Sequence, residues 1–448
     1  MKRLFLFLIF AASGIGSAWS QTATWNNTGT GDWFATGNWI SGTVSSSSST
    51  TYIDNGGTSQ ILSSSASAST LYVGIDGFSG SVQVQGGTLN TSNATIGDSG
   101  TVTVSGTGSS WTNQLGFTNL GSLNILNGGT VTLQGQSAAS LAGTTLVSGA
   151  NSRLTFAPIQ PAYALATLYS GTVRIENGGA ISDYGASVGN FTSFTVTGTG
   201  SSYYSTKGFS FGGTTLQVSD GATFQAVSAS IGGGIGPSTV TVDGSGTTVK
   251  ALGFGGLSVD SQSTFTIQNG ASVQSTGGSI YQGTVNVTGT GSTWTSGGTL
   301  IFDGTLNVLS GGVVRETENM GVSIGQSTQG SVIIDGAGST LACLNGLLVG
   351  NGTNASLVIR NGGTVTDLNG SIGYNGTGTA GVTVDGVGSL WQNREDISLG
   401  DYYSTNTLLV KNGGIAEADG GTTGSGRGSI YVQPNNSLSS IQIGDGGA

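Results

Sequence analysis

Val285-Asn286-Val287-Thr288-Gly289-Thr290-Gly291-Ser292-Thr293-Trp294 is the stretch whose reading decides the fold. Val285 and Val287 flank Asn286, an alternation that buries one face of a short strand. Gly289-Thr290-Gly291 then breaks the strand, because glycine takes the positive φ of a tight corner without steric cost. A second short strand follows at once. The stretch recurs as Val102 to Trp111 and Val382 to Trp391, with weaker copies starting at Thr145, Phe194, Val240 and Val332. The first turn glycines are Gly106, Gly149, Gly198, Gly244, Gly289, Gly336 and Gly386, a period of about 46 to 47 residues.

A second motif interleaves with the first: Leu306-Asn307-Val308-Leu309-Ser310-Gly311-Gly312-Val313-Val314. Its copies run Leu123 to Val131, Val173 to Ile181, Leu216 to Phe224, Phe265 to Val273, Leu357 to Val365 and Leu408 to Ala416. Each period is therefore two half-repeats, and each half holds three short strands and three turns. No half-repeat is apolar enough to build a core alone. Stacking successive coils gives every strand a partner above and below and lines the inside with Val, Ile and Leu. The expectation is an all-β, right-handed parallel β-helix, or β-solenoid, of about 17 coils with an N-terminal cap. With about 4.8 Å between stacked strands, such a rod is about 80 Å long.

Composition agrees with this architecture and narrows the partners. Glycine supplies 83 of 448 residues, without the strict third-residue period of collagen. Charged residues are 7% of the chain against 35% hydrophobic, the opposite of a disordered composition. Acidic residues outnumber basic ones 21 to 11, and no Lys/Arg cluster exists to meet a phosphate backbone, so nucleic acid is excluded as an expected partner.

Residues 1–20 read as a signal peptide. Lys2 and Arg3 precede the apolar run Leu4 to Ala12, and Ala18-Trp19-Ser20 places small residues before a cut at Gln21. Residues 21–60, with Trp25, Trp33 and Trp39, read as a capping segment; a carbohydrate-binding surface is the competing use of those indoles. Residues 61–448 are the repetitive solenoid. Pro158 and Pro161 mark a loop near 150–165. The end, Ile441 to Ala448, reads as mid-coil, the pattern of a truncated passenger or of a chain that pairs with another component.

The motif pair VxVxGxGSxW and LxIxNGGTV, separated by strands ending Ile96-Gly97, Ile324-Gly325 or Leu399-Gly400, resembles the repeat of type V secretion (autotransporter) passengers and PEP-CTERM-associated surface proteins. The opening from Thr24-Trp25 to Asp54-Asn55-Gly56-Gly57 is similar to the start of such passengers. The resemblance implies an exported, surface-associated β-helix of a Gram-negative bacterium. The family's membrane barrel or C-terminal sorting tail is absent from the sequence, which points to an outer-membrane translocator encoded elsewhere.

Chemistry is sparse. There is no histidine, so no His-dependent triad is available, and no phosphate loop or calcium repeat occurs. Asp243, Asp335 and Asp385 recur at one turn position, the mark of turn stabilisation, since a catalytic pair is unique and not periodic. Arg394, Glu395, Asp396 and Asp401, and Arg315 with Glu316 and Glu318, are the densest charged groups and are expected in solvated turns; an acid-base pair or weak calcium site is the competing use. Trp111, Trp294 and Trp391 share a position that holds Leu154, Val249 and Leu341 in other copies, so they are expected in the core, not as a sugar-stacking stripe. Cys343, the one cysteine, lies among apolar neighbours and is expected to be buried. No catalytic, cofactor-binding or metal-ligating residue is assigned, and no cofactor is expected. The function read from the sequence is a structural or adhesive surface rod, not an enzyme, with a surface polysaccharide or cell-surface ligand as partner. The alternative is a carbohydrate-binding or polysaccharide-acting β-helix.

Overall fold

In the computed structural model, alternation and glycine corners produce one continuous parallel sheet wound on itself. The described residues are 21–135, 139–157, 167–184, 186–188, 193–232, 236–260, 262–375, 378–400, 404–419, 428–432 and 438–444. They form 48 strands joined in a single hydrogen-bonded network, wound as a parallel β-solenoid. Residues 1–20, expected to be a signal peptide, Pro158 and Pro161 with their expected loop, and residues 445–448 lie outside the described residues.

One coil shows the plan. Residues 284–288 lie in the first ladder, Thr293–Ser296 in the second, and residues 300–303 in the third. The chain then re-enters the first ladder at residues 305–309, one rung on. Partners are in strict register: Val285 beside Leu306, Leu306 beside Val332, Val332 beside Leu357. Each of these side chains is fully buried, as are Val287, Val308, Ile334 and Ile359 in the parallel row. Burying one such side chain contributes about 1.5 to 3 kcal/mol. The core is thus a set of apolar columns running along the coil axis.

Coil length varies more than the sequence period suggests. Ser122 pairs with Thr144, 22 residues on, but Thr144 pairs with Thr172, 28 residues on, and Thr405 with Leu438, 33 residues on. The longer coils absorb their extra residues at corners. The ladders also reach back into residues 21–60. Gln21–Thr24 pairs with Ser49–Ile53, and Thr30–Asp32 with Thr58–Ile61. The three indoles there are buried; Trp39 meets both Trp25 and Trp33 edge to face at 5.1 Å, and its Nε1–H donates to the Trp33 carbonyl at 2.8 Å.

The corner between first and second ladders explains the two motifs. All seven first-turn glycines have positive φ, Gly289 at 88° among them. The serine or threonine three residues later points inward and bridges coils. The Ser339 hydroxyl donates to the Asp335 carbonyl at 2.7 Å and accepts the Gly311 N–H of the preceding coil at 3.0 Å. Ser109, Ser152, Thr247 and Ser389 make the same pair of bonds. The N–H that each hydroxyl accepts always belongs to a glycine of the alternate motif, so each hydroxyl ties one half-repeat to the other. Ser339→Ala leaves the Gly311 N–H without its partner, while the Asp335 carbonyl keeps the Ser310 N–H, and is expected to lower stability by about 1 to 2 kcal/mol. Ser339→Thr keeps the hydroxyl, as at Thr247, and is expected to retain near-native stability; urea unfolding midpoints of both variants check this.

Candidate functional site

Two places in the solenoid concentrate polar chemistry: the acidic corner positions outside, and a seam of polar residues inside. At the outer corner, Asn269, Asn361 and Asn412 hold left-handed backbone, with φ of 53° to 55°. Each donates its side-chain N–H to the acid of the preceding coil: Asn269 to Asp243 at 2.6 Å, Asn361 to Asp335 at 2.7 Å, Asn412 to Asp385 at 2.7 Å. Arg360 and Lys411 pair with Asp335 and Asp385 at 2.8 and 3.3 Å. The Asn361 bond, with the Arg360 charge, holds the Asp335 carboxyl below its usual range, and the Asn412 bond does the same for Asp385. These are the recurring acids of the sequence, and their partners are turn groups. Exposed pairs of this kind add little stability.

The inner seam runs along the last inward position of the second ladder, where the chain leaves for the third. Thr91 stands beside Asn113, Ser275 beside Ser296, Ser296 beside Glu316, and Asp367 beside Asn393. All are buried. The tryptophans one ladder position earlier are also fully buried, and each aims its indole N–H at this seam. Trp111 donates to Thr91 at 2.9 Å, Trp294 to Ser275 at 3.0 Å, and Trp391 to Asp367 at 2.8 Å. Their column continues through Leu154, Val249 and Leu341, all buried. The expected core position is therefore the observed one, and the indole faces are closed to sugars.

Glu316 departs from expectation. It was expected in a solvated turn with Glu318, yet it is 2% exposed. Val314 faces the core, and alternation carries Glu316 inward two residues later. Its Oε1 accepts the N–H groups of Glu318 at 2.8 Å and Met320 at 3.0 Å, and its Oε2 accepts that of Leu344 at 3.1 Å. The carboxylate organises the corner, and Glu318 stays exposed. In the second charged group, Asp396 accepts the Ser429 N–H at 2.9 Å, Arg394 is exposed, and Asp401 lies outside the described residues.

Three buried acids were not singled out in the sequence. Asp303 accepts the Gln326 and Ser327 N–H groups at 2.6 and 3.1 Å, another corner organiser. Asp183 accepts the Tyr203 hydroxyl at 3.2 Å. Asp367 has one oxygen on Trp391 and the other without a hydrogen-bond partner. Alternation from Ile181 and Val365 places Asp183 and Asp367 inward, so a residue-by-residue reading of the strands finds them. Cys343 is buried as expected, and burial, reinforced by Asp367 and Glu316, raises its thiol well above the ordinary value. Among the described residues no group of three His, Cys, Asp or Glu side chains could hold a metal ion, and no helix is long and apolar enough to cross a membrane.

No family model matches the chain, and no curated protein matches its sequence. Among solved structures it is similar to the TibC-catalyzed hyper-glycosylated TibA55-350 fragment. The identity is 16% over 84% of this chain and 100% of that chain, with a TM-score of 0.39. No role of any residue is transferred from it.

Glu316→Ala strands three N–H groups in the corner and is expected to cost about 3 kcal/mol. Glu318→Ala, at an exposed site, is expected to change stability by less than about 0.5 kcal/mol. Denaturant unfolding of the two variants checks the assignment of Glu316 as a corner organiser.

Proposed function

We propose that the chain is an exported structural or adhesive rod, displayed at the surface of a Gram-negative cell and acting through its outer faces. The observation that supports this is a rank of hydroxyls along the first ladder. Thr239, Thr264, Thr284, Thr305, Ser331 and Ser356 stand beside one another in successive coils, all outward of the core. From Thr30 to Ser440, every residue at this register is Ser or Thr except Gly381. Such a face offers the same neutral donor and acceptor at every rung, about 4.8 Å apart. Each contact to a polysaccharide or other cell-surface ligand is weak, and the sum over many rungs supplies avidity. The resemblance of the repeat to autotransporter passengers, and the signal-like start at Lys2 to Ser20, support export and display.

Cell fractionation with external protease treatment of intact cells tests the proposal. The expected result is protease-accessible protein whose intact mass corresponds to a start at Gln21. Protein confined to the periplasm and protected in intact cells contradicts it.

A further inference from the structure

The seam contains the same constellation twice, with one chemical difference. Near the N-terminal end, the Trp111 indole N–H donates to the Thr91 hydroxyl at 2.9 Å. That hydroxyl donates in turn to Asn113 Oδ1 at 2.8 Å, and Asn113 Nδ2 donates to the Gly116 carbonyl at 2.9 Å. The chain of donors is complete. Near the C-terminal end Asp367, Trp391 and Asn393 occupy the equivalent places in the ladder. Trp391 donates to Asp367 Oδ2 at 2.8 Å. Asp367 Oδ1 and both polar atoms of Asn393 have no hydrogen-bond partner, and both residues are fully buried. A threonine at this place always carries a proton to give to the asparagine. An aspartate carries one only when it is a neutral acid.

We infer that Asp367 is a proton-operated latch: as a carboxylic acid it donates to Asn393 and closes the coils between Cys343 and Asn393, and as a carboxylate it loosens them. The surroundings favour the neutral form. Burial pushes the Asp367 carboxyl up to about 7, against the opposing pull of the Trp391 N–H and of the Arg394 charge. Few other charged or titratable groups face it. Cys343 ends the strand of the preceding coil, with Glu316 beyond it. On the following coil, Arg394 is exposed, and Asp419 is held at the surface by Gln392 at 3.1 Å. The sign follows from the folded carboxyl titrating above the unfolded one: the folded coils bind the extra proton. The contribution of this proton to their stability is full below the ordinary carboxylate range, falls as pH rises through it, and is gone by the time pH passes about 7.

Cys343 makes the opening measurable, because it is the single cysteine of the chain and is buried beside the latch. The labelling rate of Cys343 by a thiol reagent is to be compared between the full chain and its Asp367→Asn variant at each pH; the ionised Asp367 itself disfavours the Cys343 thiolate, which slows labelling of the native chain at high pH and so works against the expected rise. Asparagine accepts from Trp391 and donates to Asn393 at every pH, as the neutral acid does. The ratio of rates, native over variant, is expected to rise at least about tenfold from pH 5.5 to pH 8.5. Asp367→Thr, which reproduces Thr91, is expected to behave as Asp367→Asn does. A ratio independent of pH overturns the inference and means that Asn393 turns its amide to donate to an ionised Asp367. Hydrogen exchange of the unmodified chain guards against a variant that fails to fold. After correction for intrinsic rates, protection of residues 340–393 is expected to fall with pH while that of residues 88–113, which carry Thr91, does not. A parallel change in both segments also overturns the inference.

Discussion

Among the described residues, the strands between the two ends of the solenoid are paired with the coils before and after them. Within a coil, three short strands point in three directions and share no backbone hydrogen bonds with each other. The parallel register between coils is therefore the constraint on which the rest depends. It converts a sequence into a set of columns, in which the neighbour that matters to Val285 is Leu306, not Val287. A residue is tolerated at a position if it fits its column. Valine, tryptophan, tyrosine and leucine replace one another in the second ladder because each fills the same apolar stack.

Corners are where that constraint is hardest to meet, since backbone groups leave the ladders there without partners. The chain answers with small hydroxyls and carboxylates turned inward. Ser339 and its counterparts bridge alternate motifs at one corner, and Glu316 and Asp303 gather loose N–H groups at others. Polarity inside this solenoid is thus a property of corners, while the flat parts of the strands are apolar. The same logic, inverted, leaves the outer faces free to carry uniform rows of serine and threonine. Inside, sequence choice is limited by packing; outside, only the interactions with the surroundings limit it.

Much of this was legible from residues alone. The glycine period gave the repeat, and all seven turn glycines have the positive φ it demanded. Substitution of Trp294 by Leu or Val in other copies placed it in the core, where it lies. The periodic acids Asp243, Asp335 and Asp385 proved to serve turns, bonded to the asparagines of the next motif. What was missed has one cause. Acids were read as solvent-exposed by type, whereas alternation from Val314 and Val365 carries Glu316 and Asp367 inward. Coil lengths were not legible, because corner insertions, such as the one between Thr144 and Thr172, leave no trace in the strand motifs. The reach of the ladders into residues 21–60 was hidden because the pairing of Gln21–Thr24 with Ser49–Ile53 spans an irregular, tryptophan-bearing segment.

The register between coils is the central claim, and a pulsed electron spin resonance distance tests it most directly. Spin labels placed at Thr101 and Thr239 in a Cys343→Ser background sit on the same outward column. They are separated by the rungs of Ser122, Thr144, Thr172, Ser193 and Thr215. Stacked coils place them about 29 Å apart in a single narrow distribution. A broad distribution, or a mean far beyond that length, would contradict the stacked solenoid and the functional reading built on its faces.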